Sequence, residues 1–349
     1  MRFLVVSSPH GYTTRDVWKR VLTGLGANGA DAHAFDLLPR WNAFDIMIKL
    51  ALKYKAQIPD AFYANLLAYE PIFGAAHFHE VDTVIFVSPQ YAPMTLIDML
   101  RKAGKKTIAY FTECPYEDTG LAPQQAAHFD YVFVNDKYSV GLYRSFCEKV
   151  FYMPHTFDPA MHYPAAIPSA NSRVLFVGTG YNRRVDFFDA VNWKGIDLEL
   201  YGIWWLDKRR FGWLRQRHRL ARYLKGHVIE NEDVAELYRS SAANISIHRS
   251  QRYADGIRVI DDSEAYSAGP RTWELAACEA FQVSDHRQEI EDVFGDAIPF
   301  YETPKELEAL LRRAVGDPIW RQEQAVKQRE AAQGHDCTVT MRTMLEAVA

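Results

Sequence analysis

Cysteine is scarce in this sequence, and no two cysteines have the spacing of a metal-binding C-x-x-C motif. The four residues, Cys114, Cys147, Cys278 and Cys337, are far apart in the chain. This spacing argues against a zinc ribbon and against a disulfide-rich scaffold. We therefore expect reduced thiols in a cytoplasmic protein, of a bacterium or of a virus-infected host cell.

Long apolar runs are also missing. No stretch approaches the roughly 20 apolar residues that a transmembrane helix needs. The short apolar run at the amino terminus lacks the length and the cleavage pattern of a signal peptide. A strong excess of one charge is absent too, since the formal net charge is −4. That value excludes a generally basic nucleic-acid binder but leaves room for a local basic patch.

What the sequence does contain is a regular alternation of buried strands and helices. Continuous apolar runs predict strands at 2–7, 83–88, 107–111 and 131–134, and a second series begins at 173–177. Such alternation predicts parallel, doubly wound α/β sheets, which bind ligands beyond the carboxyl ends of their strands. A proline-marked connector separates the two series. We predict two Rossmann-like domains and a closing helix, at 1–156, 157–335 and 336–349.

A glycine-containing turn follows the first strand of the second series and reads Gly178-Thr-Gly-Tyr-Asn-Arg-Arg. Glycines in this position let backbone N–H groups approach a phosphate, and the next helix start favours the same negative charge. Arg183 and Arg184 could form charge-assisted hydrogen bonds with a diphosphate. The third glycine of G-x-G-x-x-G is absent, so a tight turn with two solvated arginines remains the alternative.

A second motif begins at Gly269 and continues into a predicted helix. Arg271 and Glu274 are three residues apart near the helix start, so they share a face. A carboxylate there can accept hydrogen bonds from both hydroxyls of a ribose, while the arginine can bind phosphate. An internal Arg–Glu pair that caps the helix explains the same spacing.

The pattern R-x-x-E-x-x-A-C-x-A-F that starts at Arg271, with Ser284-Asp-His-Arg-Gln-Glu-Ile after it, resembles the C-terminal signature of CgeB-like glycosyltransferases. These enzymes belong to the GT-B group, together with the group-1 glycosyltransferases. The connector at 153–163, Leu200-Tyr-Gly and Asn244-Ile-Ser-Ile-His-Arg are similar to the family as well.

The resemblance implies a GT-B fold, in which two Rossmann-like doubly wound domains face a central cleft. It implies transfer of a sugar from a nucleotide-sugar co-substrate to a hydroxyl acceptor, with no other cofactor and no essential metal ion. The amino-terminal domain would take the acceptor, and the carboxyl-terminal domain the donor. The resemblance places Glu274 at the ribose, and Gly178 and Arg183 at the diphosphate. It also implies that His248 and Arg271 line the donor cleft. The full set of candidate donor-binding residues is Gly178, Gly180, Tyr181, Arg183, Tyr201, His248, Arg271 and Glu274.

Two positions depart from the family pattern. The group-1 motif E-x7-E would place a second carboxylate at position 266, where this chain has Tyr266. Glu279 stands where the family usually has glycine. The first departure leaves open whether transfer retains or inverts the anomeric configuration, and the second affects the geometry expected at the helix end.

The base that takes the proton of the acceptor hydroxyl should come from the amino-terminal domain. The candidates are His10, Glu113 and Asp118, which all follow predicted strands. Each has a structural alternative, because His10 could be a turn residue and the two carboxylates could be solvated loop charges or helix caps.

The segment 208–225 carries eight Lys or Arg and no acidic residue, interleaved with aromatic residues. We predict a helix with an apolar stripe at Trp213, Leu220 and Leu224. Its basic faces could bind a phosphodiester backbone, contact an anionic membrane or simply face solvent. The candidate DNA-binding residues are Arg209, Arg210, Arg215 and Arg219.

These patterns predict a glycosyltransferase whose acceptor is a hydroxymethylated pyrimidine in DNA, a protein side chain or a glycan. A base in duplex DNA would have to leave the stack to be reached. The alternatives are a nucleotide-sugar epimerase of the same fold and a non-catalytic module that binds nucleotide sugars or nucleic acid.

Overall fold

The computed structural model describes residues 1–9, 16–54, 67–89, 91–116, 118, 121–165, 172–204, 206–211, 214–226, 229–249, 251–254, 258–261 and 265–349. Internal contacts divide the chain into two compact units. Unit 1 comprises Met1–His155, Ser250–Ser267 and Cys337–Ala349, and unit 2 comprises Thr156–Arg249 and Ala268–Asp336. No helix in the described part of the chain is long and apolar enough to cross a membrane.

Unit 1 is built on a six-stranded parallel sheet with the strand order β2-β1-β3-β4-β5-β6. The strands are β1 (Arg2–Val6), β2 (Asp31–Phe35), β3 (Thr83–Val87), β4 (Lys106–Phe111), β5 (Tyr131–Val134) and β6 (Val150–Tyr152). The helices are α1 (Val17–Ala27), α2 (Leu38–Lys53), α3 (Pro71–Phe78), α4 (Met94–Lys102), α5 (Ala122–Ala126), α6 (Val140–Arg144) and α13 (Cys337–Val348). A two-stranded hairpin of β13 (Gln251–Ala254) and β14 (Arg258–Asp261) also belongs to this unit.

The central strands of unit 1 are buried on both faces, as their continuous apolar sequences predict. In β1, Phe3 and Val5 pack in one hydrophobic cluster, while Leu4 and Val6 pack in another. Helix α1 lies against α13. A Cβ atom on Gly24 would meet the carbonyl oxygen of Cys337 and lie 2.5 Å from Cγ of Met341. This close approach requires glycine.

Unit 2 contains a second parallel sheet, of five strands, with the order β11-β8-β7-β12-β15. These strands are β7 (Arg173–Val177), β8 (Asp197–Tyr201), β11 (Leu224–Gly226), β12 (Ala243–Ser246) and β15 (Gln282–Ser284). The helices are α7 (Asn182–Ala190), α8 (Asn231–Ser240), α9 (Pro270–Ala277), α10 (Gln288–Phe294), α11 (Pro304–Gly316) and α12 (Pro318–Ala331). Two such sheets with flanking helices confirm the predicted α/β class.

The predicted basic helix at 208–225 is wrong. The chain forms an antiparallel hairpin of β9 (Asp207–Phe211) and β10 (Leu214–Arg217), then a 3-10 helix at Arg219–Tyr223, then β11. Gly212 interrupts the helical pattern, and glycine disfavours a helix interior by about 1 kcal/mol. The backbone N–H of His218 donates to the carbonyl of Leu206 at 2.9 Å. Of the proposed apolar stripe, Leu220 is buried and Leu224 half-buried, while Trp213 lies outside the described residues.

Glu279, two residues after the end of helix α9, adopts a left-handed conformation with φ of 53°. The N–H of Ala280 still closes the helix end on the carbonyl of Leu275 at 3.0 Å. The Glu279 carboxylate accepts hydrogen bonds from two side chains of α12, Gln322 at 2.7 Å and Arg329 at 3.2 Å. The helix end that glycine usually makes is therefore formed here by a glutamate whose side chain is fixed by its neighbours.

Candidate active site

The loops at the carboxyl ends of β7, β8, β12 and β15 bring several charged and polar side chains of unit 2 together. The turn after β7 contains Gly178, whose φ is 156°. A Cβ atom there would lie 2.7 Å from Nη2 of Arg271 and 3.2 Å from the Phe176 ring. The Arg271 guanidinium also lies over that ring, with 5.0 Å between Cζ and the ring centroid. Gly178 and Arg271, which are distant in sequence, are therefore in direct contact.

The backbone amides of the two glycines in this turn already have hydrogen-bond partners within the protein. The N–H of Gly178 donates to the carbonyl of Tyr201 at 2.8 Å, and the N–H of Gly180 donates to the carbonyl of Ile203 at 2.8 Å. A Cβ atom on Gly180 would overlap the indole ring of Trp204. Glycine is needed here for close packing against the neighbouring chain segment, whose carbonyl groups accept the hydrogen bonds of both N–H groups.

Glu274 lies on the same helix as Arg271, and both contact one tyrosine of α8. The Tyr238 hydroxyl donates to Oε2 of Glu274 at 3.3 Å, and the nearby Arg271 guanidinium acts to lower the pKa of Tyr238. Burial, followed by the charge of Glu274, raises the pKa of Tyr238 above its ordinary value. Glu274 itself is 7% exposed. The structure thus brings Gly178, Arg271 and Glu274 to one side of unit 2.

The other residues that the sequence predicts to bind the donor substrate lie in different environments. The Tyr181 ring lies 5.2 Å from Cζ of Arg184. Tyr201 donates from its hydroxyl to Oε2 of Glu199 at 3.2 Å, and its ring packs beside the cluster that contains Tyr238. Arg183 is exposed in the first turn of α7.

His248 forms a close pair with Asp285, which the sequence analysis did not single out. The distance from His248 Nδ1 to Oδ1 of Asp285 is 2.6 Å, and the His248 N–H donates to both carboxylate oxygens at 2.9 and 3.0 Å. Burial lowers the pKa of His248, against the opposing effect of Asp285. Burial raises the pKa of Asp285, but the interactions with His248 outweigh it and the pKa is lowered. We therefore treat this pair as a neutral imidazole beside a carboxylate.

Two further arginines hold the loops of this site in place. Arg184 donates to the carbonyls of Thr179 at 2.9 Å and Ile247 at 2.6 Å, which joins the turns after β7 and β12. Arg287 donates to the carbonyl of Arg249 at 2.9 Å. The site therefore contains three guanidinium groups, because Arg271 joins these two arginines. The carboxylates described above are Asp285 and Glu274. In the sequence, these charged residues share one feature that could have indicated the site: each lies just after a strand or near the start of a helix.

The base candidates of unit 1 lie in another polar network. Asp118 accepts hydrogen bonds from Ser139 Oγ at 2.5 Å and from the Tyr143 hydroxyl at 3.3 Å. Cys114 Sγ lies 3.5 Å from that hydroxyl, and burial, together with the Asp118 charge, raises the pKa of the Cys114 thiol. Glu113 is half-buried in the turn after β4. His10 lies outside the described residues.

The candidate DNA-binding arginines belong to the hairpin and to the 3-10 helix. Arg209 and Arg215 are register partners in the β9–β10 ladder, and Arg210 lies in β9. Arg219 forms an ion pair with Asp189 of α7.

All four cysteines are free. Among the described residues, no group of three or more His, Cys, Asp or Glu could hold a metal ion.

Comparison with known proteins relates part of the sequence to one protein family and the whole fold to several solved structures. Residues 183–346 match the family described as Glycosyl transferase-like. No curated protein gives a significant match to the sequence. Among solved structures, sucrose-phosphate synthase from Thermosynechococcus elongatus is similar with a TM-score of 0.65 and 13% identity, over 100% of this chain and 98% of that one.

Two other solved structures are similar along the whole chain. An alpha-glucosyltransferase in complex with UDP and a 13-mer DNA has a TM-score of 0.64 and 12% identity, over 100% of this chain and 99% of that one. A glycosyltransferase from Rickettsia africae ESF-5 has a TM-score of 0.60 and 13% identity, over 99% and 97%. At these identities the likeness shows the fold. The fold is therefore the GT-B fold, and the carboxyl-terminal part of the chain, residues 183–346, is similar to a family of glycosyltransferase-like proteins.

Proposed function

We propose that this chain is a glycosyltransferase that uses a nucleotide sugar as donor. In this proposal unit 2 binds the nucleoside diphosphate part of the donor, with Glu274 at the ribose and Arg271 at the diphosphate. The observation that carries this proposal is the contact of Arg271 with Gly178, with Glu274 three residues further along the same helix. A ribose diol offers two hydroxyl donors, and a carboxylate is an acceptor only. A guanidinium forms paired hydrogen bonds with phosphate oxygens.

Arg271 also has a chemical task in this proposal. When the sugar leaves the nucleotide, negative charge develops on the terminal phosphate, and a fixed cation in a buried site stabilises that charge. The Arg271 side chain is held between the Phe176 ring and Gly178, and its Nε has no hydrogen-bond partner among the described residues. A phosphate oxygen would supply the missing acceptor.

The test is ligand binding by calorimetry and thermal shift with UDP, GDP, ADP and TDP and with their glucose or mannose derivatives. A specific ligand at about 100 times its Kd stabilises the fold by about 2.7 kcal/mol. We expect Glu274→Gln to weaken binding of the preferred nucleotide about tenfold or more, because a hydrogen bond to a charged group is lost. Glu308→Gln alters a carboxylate on α11 that pairs with Arg312 at 2.8 Å, and serves as the control.

Absence of binding by any of these nucleotides, or equal affinity in wild type and Glu274→Gln, would refute the donor assignment. Conversion of the nucleotide sugar to an isomer without an acceptor would instead support the epimerase alternative.

We further propose that the acceptor is a hydroxymethylated pyrimidine in DNA. Two observations favour it: the segment 208–225, with eight Lys or Arg and no acidic residue, and the fold shared with an alpha-glucosyltransferase that was solved with UDP and DNA containing an HMU base. The basic residues extend over β9, β10 and the 3-10 helix. Backbone contacts by such residues position DNA without reading its sequence.

The corresponding experiment measures transfer of labelled sugar to duplex DNA with and without 5-hydroxymethyluracil or 5-hydroxymethylcytosine. Arg209→Ala combined with Arg215→Ala should raise the KM for DNA and reduce its salt dependence, because each lost phosphate contact lowers the salt slope by about 1. Binding of the nucleotide alone should be unchanged. Transfer to a protein or to a glycan but not to modified DNA would rule out this acceptor.

We assign the base to unit 1 and test Asp118→Asn, Glu113→Gln and His10→Gln side by side. General-base catalysis contributes about 10²–10⁴-fold to the rate. The base is the residue whose variant loses kcat to that extent while nucleotide binding by unit 2 is unchanged. If all three variants keep their kcat, the base lies elsewhere.

A further inference from the structure

The imidazole of His248 leaves one nitrogen without a partner. The His248 side chain is 6% exposed, and its Nδ1 is engaged with Asp285 at 2.6 Å. The other nitrogen, Nε2, is buried and has no hydrogen-bond partner among the described residues. A buried polar atom that lacks a partner costs about 1–3 kcal/mol, so such an atom in a binding site points to a ligand group.

Asp285 decides what kind of group Nε2 can bind. A carboxylate only accepts hydrogen bonds, so Nδ1 must carry the proton in this pair. In a neutral imidazole the second nitrogen then has a free lone pair and acts only as an acceptor. A phosphate oxygen, which is also an acceptor, would be repelled by Nε2. The complementary ligand atom is a hydroxyl or an N–H.

The position of Nε2 indicates which part of a nucleotide sugar could supply this hydroxyl or N–H. Nε2 lies 3.8 Å from where a Cβ on Gly269 would be, and Gly269 is the residue immediately before α9. Glu274, the proposed ribose ligand, lies five residues further along, about 7.5 Å at 1.5 Å per residue. Arg271, the proposed diphosphate ligand, lies between them in sequence. From Glu274 back towards the start of the helix, the proposed neighbours are therefore the ribose, then the diphosphate, and then the group that faces His248.

We propose that His248 Nε2 accepts a hydrogen bond from a hydroxyl of the donor sugar, and that Asp285 is the positioning residue that holds His248 in this tautomer. This inference rests on the proposed donor site and adds to it the residue that distinguishes a nucleotide sugar from the nucleotide alone.

His248→Asn separates the two functions of the imidazole. The asparagine amide keeps a donor near the position of Nδ1, so the contact with Asp285 can persist, but no atom reaches the position of Nε2. We expect the Kd of the preferred nucleotide sugar to rise about tenfold, the value of one hydrogen bond of about 1.4 kcal/mol. The Kd of the matching nucleoside diphosphate should stay within about twofold.

Asp285→Asn tests the tautomer itself. The amide offers a donor where the carboxylate only accepts, so the Nδ1–H form loses its preference and Nε2 gains the proton. Nitrogen-15 NMR of the imidazole should show Nδ1–H in the wild type at neutral pH and Nε2–H in Asp285→Asn. The same variant should lose affinity for the nucleotide sugar and keep affinity for the nucleoside diphosphate.

The chain supplies a matched control in unit 1, where His128 Nδ1 lies 2.9 Å from Oδ1 of Asp98. Asp98→Asn changes an equivalent pair and should alter neither affinity. Equal loss of both ligands in His248→Asn, or an Nε2–H imidazole in the wild type, would overturn this inference while the donor site stands. If the wild type binds neither ligand, the donor site and this inference fall together.

Discussion

Gly178→Ala is the sharpest single test of the donor site, because the structure gives both the strain and the atom that must move. Gly178 has φ of 156°, a region almost exclusive to glycine. The new methyl group would lie 2.7 Å from Nη2 of Arg271 and 3.2 Å from the Phe176 ring. The aromatic ring is buried and fixed, whereas the arginine is flexible, so the guanidinium is displaced.

Two consequences of different size follow from this geometry. The backbone strain costs about 1–3 kcal/mol, which for a domain of this size lowers Tm by roughly 2–4 °C per kcal/mol. In the proposed donor site, displacement of Arg271 would also remove a charge-assisted hydrogen bond to the diphosphate, worth about 1.5–3 kcal/mol. We therefore expect nucleoside diphosphate affinity to fall about ten- to hundredfold.

The assay combines calorimetric titration at fixed salt with thermal unfolding without ligand. Gly29→Ala is the control for backbone strain alone, since Gly29 has φ of 75° with no atom within 4 Å of the added carbon. Arg271→Ala removes the guanidinium without backbone strain and should reproduce the loss of affinity. A folded Gly178→Ala protein that binds the nucleotide like wild type would refute the assignment of Arg271 to the diphosphate.

Three further predictions concern stability. In α1, Gly24→Ala should cost about 1–3 kcal/mol because its methyl group meets α13, whereas Gly26→Ala, with open space around it, should gain about 0.5–1 kcal/mol. Glu279→Ala loses both bonds to α12 and keeps the strained backbone, at about 1–2 kcal/mol, whereas Glu279→Gly should recover about 1 kcal/mol by relieving strain. Because the folded-state pKa of His248 is lowered, its contribution to stability is present above the unfolded-state pKa of about 6.5 and is lost as pH falls.

Urea unfolding measures all three. Equal effects of the two alanine substitutions in α1 would contradict the packing described for that helix. If the Glu279→Gly protein is less stable than the Glu279→Ala protein, backbone strain is not the dominant cost at that position. For the pH dependence, His248→Asn should show a smaller loss of stability between pH 7.5 and 5.5 than wild type, and an unchanged loss would contradict the lowered pKa.

The class of fold could be predicted from the sequence because the central strands of both sheets are apolar on both faces. RFLVV and RVLFV leave no polar face for solvent, so they require a parallel sheet with helices on either side. The proline-marked connector predicted a boundary between two domains, and the resemblance around Arg271–Phe281 predicted a glycosyltransferase. Helix α8 was missed although it carries Tyr238, since its amphipathic pattern is short and lies next to the basic segment.

The sequence alone could not decide what the polar groups do once folded. It placed Gly178 and Gly180 after a strand, but only the neighbouring strand determines that their amides are already bonded to Tyr201 and Ile203. The basic segment has helical spacing, yet strand pairing supplies its backbone hydrogen bonds instead. Local pattern determines which segments are strands and helices. Contacts across the sheet, such as Asp285 with His248 and Arg271 with Gly178, depend on chain segments far apart in sequence, and the folded structure alone brings them together.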